Sequence, residues 1–217
     1  MPPLNQLIAD SATLTQGLAV LVGGYAIGCF TTGYYLVRWR TGHDIRQLGS
    51  GSVGAKNVGR FLGRLGFVTT AWLDFAKGAV AVWTTLRVTQ NNQLAVVAML
   101  AVAAGHIWPL QLGFRGGKGV ATSLGSILVF DYRLAMIFLG SYLFAFALLR
   151  KTVGSGLLAF ALLPLVGLFL GLAGWPLAGV SALVTMIIIA HRANLFPELA
   201  THSAGGSVQV DSTQSPK

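Results

Sequence analysis

Charge is scarce in this chain. Only 10% of its 217 residues are Asp, Glu, Lys or Arg, whereas soluble domains carry roughly 25%. An ordinary water-facing surface is excluded, because such a surface must be made of polar side chains. Acidic residues are scarcer still, with 6 Asp and Glu against 15 Lys and Arg. Cysteine is all but absent: Cys29 stands alone in an apolar run, so an internal disulfide is impossible. No His, Cys or carboxylate cluster has the spacing of a metal site.

What is abundant is apolar. Hydrophobic residues make up 54% of the chain, glycine contributes 28 positions, and the mean hydropathy is +0.69. Glycine-rich, apolar and uncharged runs are the composition of membrane helices. The net charge of +9 does not point to nucleic acid, because the basic residues sit between apolar runs and form no soluble face. Residues 1–16 contain Asp10 and no Lys or Arg, which is not the n-region of a cleaved signal, so the first run reads as a retained span.

Crossing a ~30 Å hydrocarbon core takes about 20 helical residues. Residues 11–37, 65–86, 88–114, 119–130 and 134–149 read as spans, the fourth of them short. Residues 152–190 are uncharged and twice the needed length, and Gly174-Trp175-Pro176 divides them into two. The expected fold is an all-α polytopic membrane protein with seven transmembrane helices. Alternate loops are basic: Arg38 to Arg64, then Arg115 and Lys118, then Arg150 and Lys151. The positive-inside rule makes these cytoplasmic, with the N-terminus outside and the C-terminus cytoplasmic. Residues 1–200 form a single transmembrane domain, and 201–217, rich in Ser, Thr, Gly and Gln, read as a disordered polar tail.

With that topology three stretches meet on one face. The first is Gly49-Ser50-Gly51-Ser52-Val53-Gly54-Ala55-Lys56-Asn57-Val58-Gly59-Arg60. Its glycines let successive backbone N–H groups turn toward an anion, and Ser50, Asn57, Lys56 and Arg60 add donors and charge. The second contains Gly105-His106 and then Arg115-Gly116-Gly117-Lys118-Gly119-Val120, a Gly-rich turn opening a helix, which suits phosphate. It is not a nucleotide P-loop: Leu112 stands where that motif needs Gly, and Gly119 where it needs Ser or Thr. The third is His191-Arg192-Ala193-Asn194, with His191 and Asn194 on one face if the helix continues. His106 reads as an anchor for the loop before Lys118. Asp74 and Lys77, three apart inside a span, read equally as a functional pair or a mutually neutralising structural one.

Taken together, residues 49–60, Asp74 to Gly78, 105–122 and 191–194 resemble the bacterial acyl-phosphate:glycerol-3-phosphate acyltransferase family, PlsY. The resemblance implies transfer of a fatty acyl group from acyl phosphate to the 1-hydroxyl of sn-glycerol 3-phosphate, forming lysophosphatidic acid for phospholipid biosynthesis. It also implies a seven-span protein of the bacterial inner membrane with a cytoplasmic-facing site. Carried over by motif, Ser50, His191 and Asn194 are catalytic. Gly51, Gly54, Asn57, Arg60, Gly116, Gly117, Lys118 and Gly119 bind substrate, with the amides of 116–119 and Lys118 on one phosphate and Arg60 with the 50–54 backbone on another. No cofactor and no metal is implied; the partners are the two substrates and membrane lipid, and the enzyme is expected to be a monomer. Ser52 and Lys56 depart from the family's usual Asn and Thr, which leaves open a paralogue with another phosphorylated acceptor. The His-x-x-x-x-Asp pattern of other glycerolipid acyltransferases is absent at His43, His106, His191 and His202. A transporter or flippase of an organic phosphate is the alternative, disfavoured because the phosphate loops share one face and no inverted repeat is visible.

Overall fold

The computed structural model describes residues 4–192. Within them the chain forms eight α-helices and no strand. They are α1 (Leu4–Cys29), α2 (Thr32–Thr41), α3 (Ala55–Thr89), α4 (Asn92–Ile107), α5 (Val120–Phe130), α6 (Tyr132–Leu149), α7 (Thr152–Phe169) and α8 (Gly174–Ala190). Five segments are long and apolar enough to cross a membrane: Thr13–Thr41, α3, Asn92–Leu112, α6 and α7. Helices α5 and α8 are apolar but shorter, with 11 and 17 residues, or about 16 and 26 Å of rise. Asn194 and the polar tail lie outside the described residues.

Glycine sets how closely the helices approach. A Cβ at Gly28 would overlap the Val102 carbonyl on α4, and one at Gly105 would overlap the Tyr25 carbonyl on α1. The same holds between α3 and α5, where Gly78 lies on the Thr122 carbonyl and Gly125 on that of Phe75. Helices without a hydrophobic drive between them associate through such small-residue contacts. Helix α4 is the hub, buried along most of its length, and its start is capped by Asn91, which accepts from the amides of Gln93 and Leu94. The core around it holds Met99, Phe160, Leu163, Leu183 and Ile187. Outward, the helices present Val22, Leu65, Phe144 and Phe169; so much exposed apolar surface fits lipid and not water.

Three boundaries differ from the sequence reading. The first run breaks at Phe30–Thr31 into α1 and α2. Helix α3 begins ten residues early, at Ala55, and is interrupted at Gly63 (φ 68°, ψ −163°), a backbone state that needs glycine. The final division falls before Gly174, at residues 170–173 with Gly171 at φ 82°, and Pro176 sits in the first turn of α8. A proline there costs nothing, since first-turn N–H groups have no intrahelical acceptor.

The buried Asp74–Lys77 pair holds the first break. Lys77 Nζ lies 3.0 Å from Asp74 Oδ1 and donates to the carbonyls of Gly28 (3.1 Å) and Phe30 (2.7 Å). Those carbonyls are the acceptors left over where α1 stops. Thr32 donates to Asp74 from the other side at 3.1 Å, and His106 Nδ1 lies 2.8 Å from Lys77. The pair that sequence left undecided is a structural knot joining α1, α2, α3 and α4.

Candidate active site

A cavity of about 760 Å³ opens between α3, α5, α6, α7 and the end of α8. One end is polar and cationic: Ser50, Ser52, Lys56, Asn57, Arg60, Lys118 and His191 line it. The other is apolar, walled by Phe67, Val68, Trp72, Leu124, Phe138, Leu139, Leu157 and Phe160. Phe138 and Phe160 close that end with ring centroids 4.5 Å apart. The space therefore suits a molecule with an anionic head and an aliphatic tail.

Two helix N-termini meet at the cationic end. Helix α3 starts after Gly54, with no side-chain cap, and Gly54, Ala55 and Lys56 line the cavity. Helix α5 starts after Gly119 (φ 78°), likewise uncapped, and Gly119, Val120 and Ala121 line it. First-turn N–H groups and the positive ends of two helix dipoles thus face one space, the arrangement that binds phosphate. Lys118 is half-buried beside them; burial first, then the charges of Lys56 and Arg60, push its ammonium pKa down. An anion in the cavity would reverse the effect of that crowding.

The donor set differs from the one expected at 116–119. The Gly116 amide donates to the Ile107 carbonyl (3.1 Å) and the Gly117 amide to that of His106 (3.0 Å), so neither is available to a phosphate. These residues are glycine for space: a Cβ on Gly116 would overlap the His106 carbonyl, and one on Gly117 the His106 ring at Nε2. The loop lies flat on the end of α4, and its anion-binding groups are Lys118 and the first turn of α5. His106 anchors that loop, as its position suggested.

The first loop shows the same economy. Gly51 N–H donates to Leu48, Gly54 N–H to Ser52 Oγ, and Ser50 N–H to Asn57 Oδ1. Asn57, expected to bind substrate, spends its amide nitrogen on the carbonyls of Leu48 (2.9 Å) and Ser52 (3.0 Å) and is buried. It shapes the loop that presents Ser50, Ser52, Lys56 and Arg60. Gly51 and Gly54 give this loop its path; Gly51 has φ 68°.

Arg46, which sequence placed only among the basic loop charges, ties the two loops together. Its guanidinium forks onto Asp44 (2.6 Å), donates to the Leu112 carbonyl (2.7 Å) and lies over the Tyr34 ring at 5.1 Å. Asp44 is held ionised, its pKa lowered by that guanidinium. Nothing in the sequence links Arg46 to residue 112, because the bond spans 66 positions and ends on a carbonyl.

His191 is buried at 5% exposure and lines the cavity. Its Nδ1 is 2.8 Å from the Ile187 carbonyl. A carbonyl only accepts, so Nδ1 carries the proton and the neutral ring leaves Nε2 as an acceptor. Burial, and more weakly Lys118, lower its pKa below the usual histidine value. The orienting group is thus Ile187; Asn194, expected in that role, is outside the described residues.

Residues 18–200 match the family described as glycerol-3-phosphate acyltransferase. The chain belongs to this family. It is 44% identical to glycerol-3-phosphate acyltransferase 1 of Desulfitobacterium hafniense (strain Y51), over 82% of this chain and 88% of that protein. It is 38% identical to the glycerol-3-phosphate acyltransferase of Synechococcus sp. (strain CC9902), over 84% and 91%. The fold matches the crystal structure of PlsY (YgiH), an integral membrane glycerol 3-phosphate acyltransferase, in its glycerol 3-phosphate form. The TM-score there is 0.78 at 30% identity, covering 85% of this chain and 92% of the other. The lysophosphatidic acid form of the same protein matches with a TM-score of 0.75. The PlsY-type resemblance read from the motifs is confirmed.

Proposed function

We propose that this protein transfers a fatty acyl group from an acyl phosphate to the 1-hydroxyl of sn-glycerol 3-phosphate, releasing lysophosphatidic acid and inorganic phosphate. The observation that carries this reading is the single cavity with two uncapped helix N-termini and three cations at one end and an apolar wall at the other. An acyl phosphate is a mixed anhydride, so its phosphate is already a good leaving group. The protein's task is to hold two anions close and orient a hydroxyl, which is proximity and electrostatic work.

The step balances without a cofactor. The hydroxyl oxygen attacks the acyl carbonyl carbon, an ester C–O bond forms, the anhydride C–O bond breaks, and phosphate leaves. Lys118 and the first turn of α5 hold one phosphate, Arg60 and the first turn of α3 the other, and Ser50 lines the same cavity. The hydroxyl proton passes to His191 Nε2, with an oxygen of a substrate phosphate as the competing acceptor. The acyl tail lies among Phe67, Trp72, Phe138 and Phe160. One phosphate released per lysophosphatidic acid formed is the expected stoichiometry; ester formation without phosphate release would reject the donor.

The His191 role sets a pH dependence. Burial lowers its pKa below the ordinary histidine value, which favours the neutral ring that can accept a proton, so activity should be lost as pH falls and the ring protonates. An acid limb in kcat/KM with its midpoint below the ordinary histidine value, absent in His191→Gln, is expected. A limb that persists in His191→Gln assigns the titration to substrate phosphate, whose second ionisation lies near ~6, and removes His191 as the base.

Membrane placement follows the same cavity. Lys118, before α5, and Thr152, after α6, both line it, as they would if the chain crosses through α5 and returns through α6. That supports seven crossings with the basic loops and the site on the cytoplasmic face of the bacterial inner membrane.

A further inference from the structure

The cation that the reaction as described does not use is Lys56. It is exposed at the cavity's polar end, one helical turn before Arg60, in the first turn of α3. For folding, this is a poor place for a lysine. A positive charge opposes the dipole at a helix N-terminus, and like charges four residues apart repel. Among the described residues no carboxylate pairs with Lys56 or Arg60. Among the described residues the only carboxylate lining the cavity is Asp74, and it is bound to Lys77. Helix α3 thus opens on two exposed, uncompensated cations, with half-buried Lys118 across from them.

The two substrates of the proposed reaction reach such a site by different routes. A long-chain acyl phosphate is confined to the bilayer and enters along the apolar wall. Glycerol 3-phosphate is a small, water-borne dianion and must enter through the aqueous mouth, where Lys56 is exposed. We infer that Lys56 is a specificity-determining residue for the water-borne substrate, drawing the glycerol 3-phosphate dianion from solvent into the cationic end of the cavity. This rests on the acyltransferase reading above. It follows that Lys56 acts on capture and not on the bond-forming step, and that its action is screened by salt, as exposed charges are. A charge-only role also means that arginine serves there as well as lysine.

The test compares wild type, Lys56→Thr and Lys56→Arg as purified full-length protein in detergent. Steady-state kinetics would be run at low and high ionic strength with palmitoyl phosphate and glycerol 3-phosphate each varied in turn. In Lys56→Thr, kcat/KM for glycerol 3-phosphate should fall about tenfold at low salt, at the lower end of what electrostatic steering supplies. The deficit should shrink at high salt. The kcat at saturation and the KM for palmitoyl phosphate should stay within about twofold, and Lys56→Arg should match wild type; these small margins are what a capture role allows. Calorimetric titration with glycerol 3-phosphate should show the same loss of affinity in Lys56→Thr without any donor present. An unchanged kcat/KM for glycerol 3-phosphate overturns the inference, as does a raised KM for palmitoyl phosphate or an equal loss at both salt levels. A wild-type protein that binds glycerol 3-phosphate but makes no product from palmitoyl phosphate instead rejects the donor reading, and the titration still decides Lys56.

Discussion

Lys118→Ala should lower acyl transfer by about 100-fold or more, the loss typical when a single charge-stabilising donor is removed from a water-poor site. Lys118 is the half-buried cation at the N-terminus of α5, and Gly116 and Gly117 do not share its work, because their amides are bonded to the end of α4. The loop should survive the substitution, since its anchors to His106 and Ile107 are backbone bonds. The measurement is product formation in membranes at equal protein level, with detergent size-exclusion profiles as the check on folding. Near-wild-type transfer would remove Lys118 from the site and leave the α5 N-terminus alone to hold phosphate.

The largest stability effect is expected at the other end of the same network. Lys77→Met leaves Asp74 as a buried, uncompensated carboxylate and frees the carbonyls of Gly28 and Phe30. Removing one partner of a buried ion pair costs about 3–5 kcal/mol. The variant should unfold at a clearly lower temperature in detergent and be cut faster by protease near residues 30–31. The double variant Asp74→Asn with Lys77→Met should regain much of that loss, because the orphan charge is gone. A double variant no more stable than the single one would mean that Lys77 acts through the carbonyls alone.

Much of this was legible in the residues. Apolar runs located the helices because lipid demands continuous hydrophobic stretches, and a run with no proline or charge, such as residues 11–37, gives no reason to suspect a break. The break at Phe30–Thr31 is held by Lys77, 47 positions away, so no local signal marks it. The three motif stretches do converge: Ser50, Arg60, Lys118 and His191 line one cavity. What sequence confused was the work of glycine. A glycine that frees an amide for phosphate and one that lets the backbone lie on a histidine ring are the same letter, and only the partners of Gly116 and Gly117 separate them. Asn57 carries a related ambiguity: an amide side chain binds a ligand or a loop equally well, and here three carbonyls surround it. Arg46 has no signal of its own in the sequence, because a basic residue in a loop between apolar runs already has an explanation in the positive-inside pattern.

Whether an acyl phosphate and glycerol 3-phosphate meet in this cavity is read by a single assay of acyl transfer. Purified protein is given radiolabelled glycerol 3-phosphate with palmitoyl phosphate or, in parallel, with palmitoyl-CoA. Labelled lysophosphatidic acid from palmitoyl phosphate alone is the predicted result. Product from palmitoyl-CoA alone would contradict the donor assignment, and no product from either with well-folded protein would contradict the reaction itself.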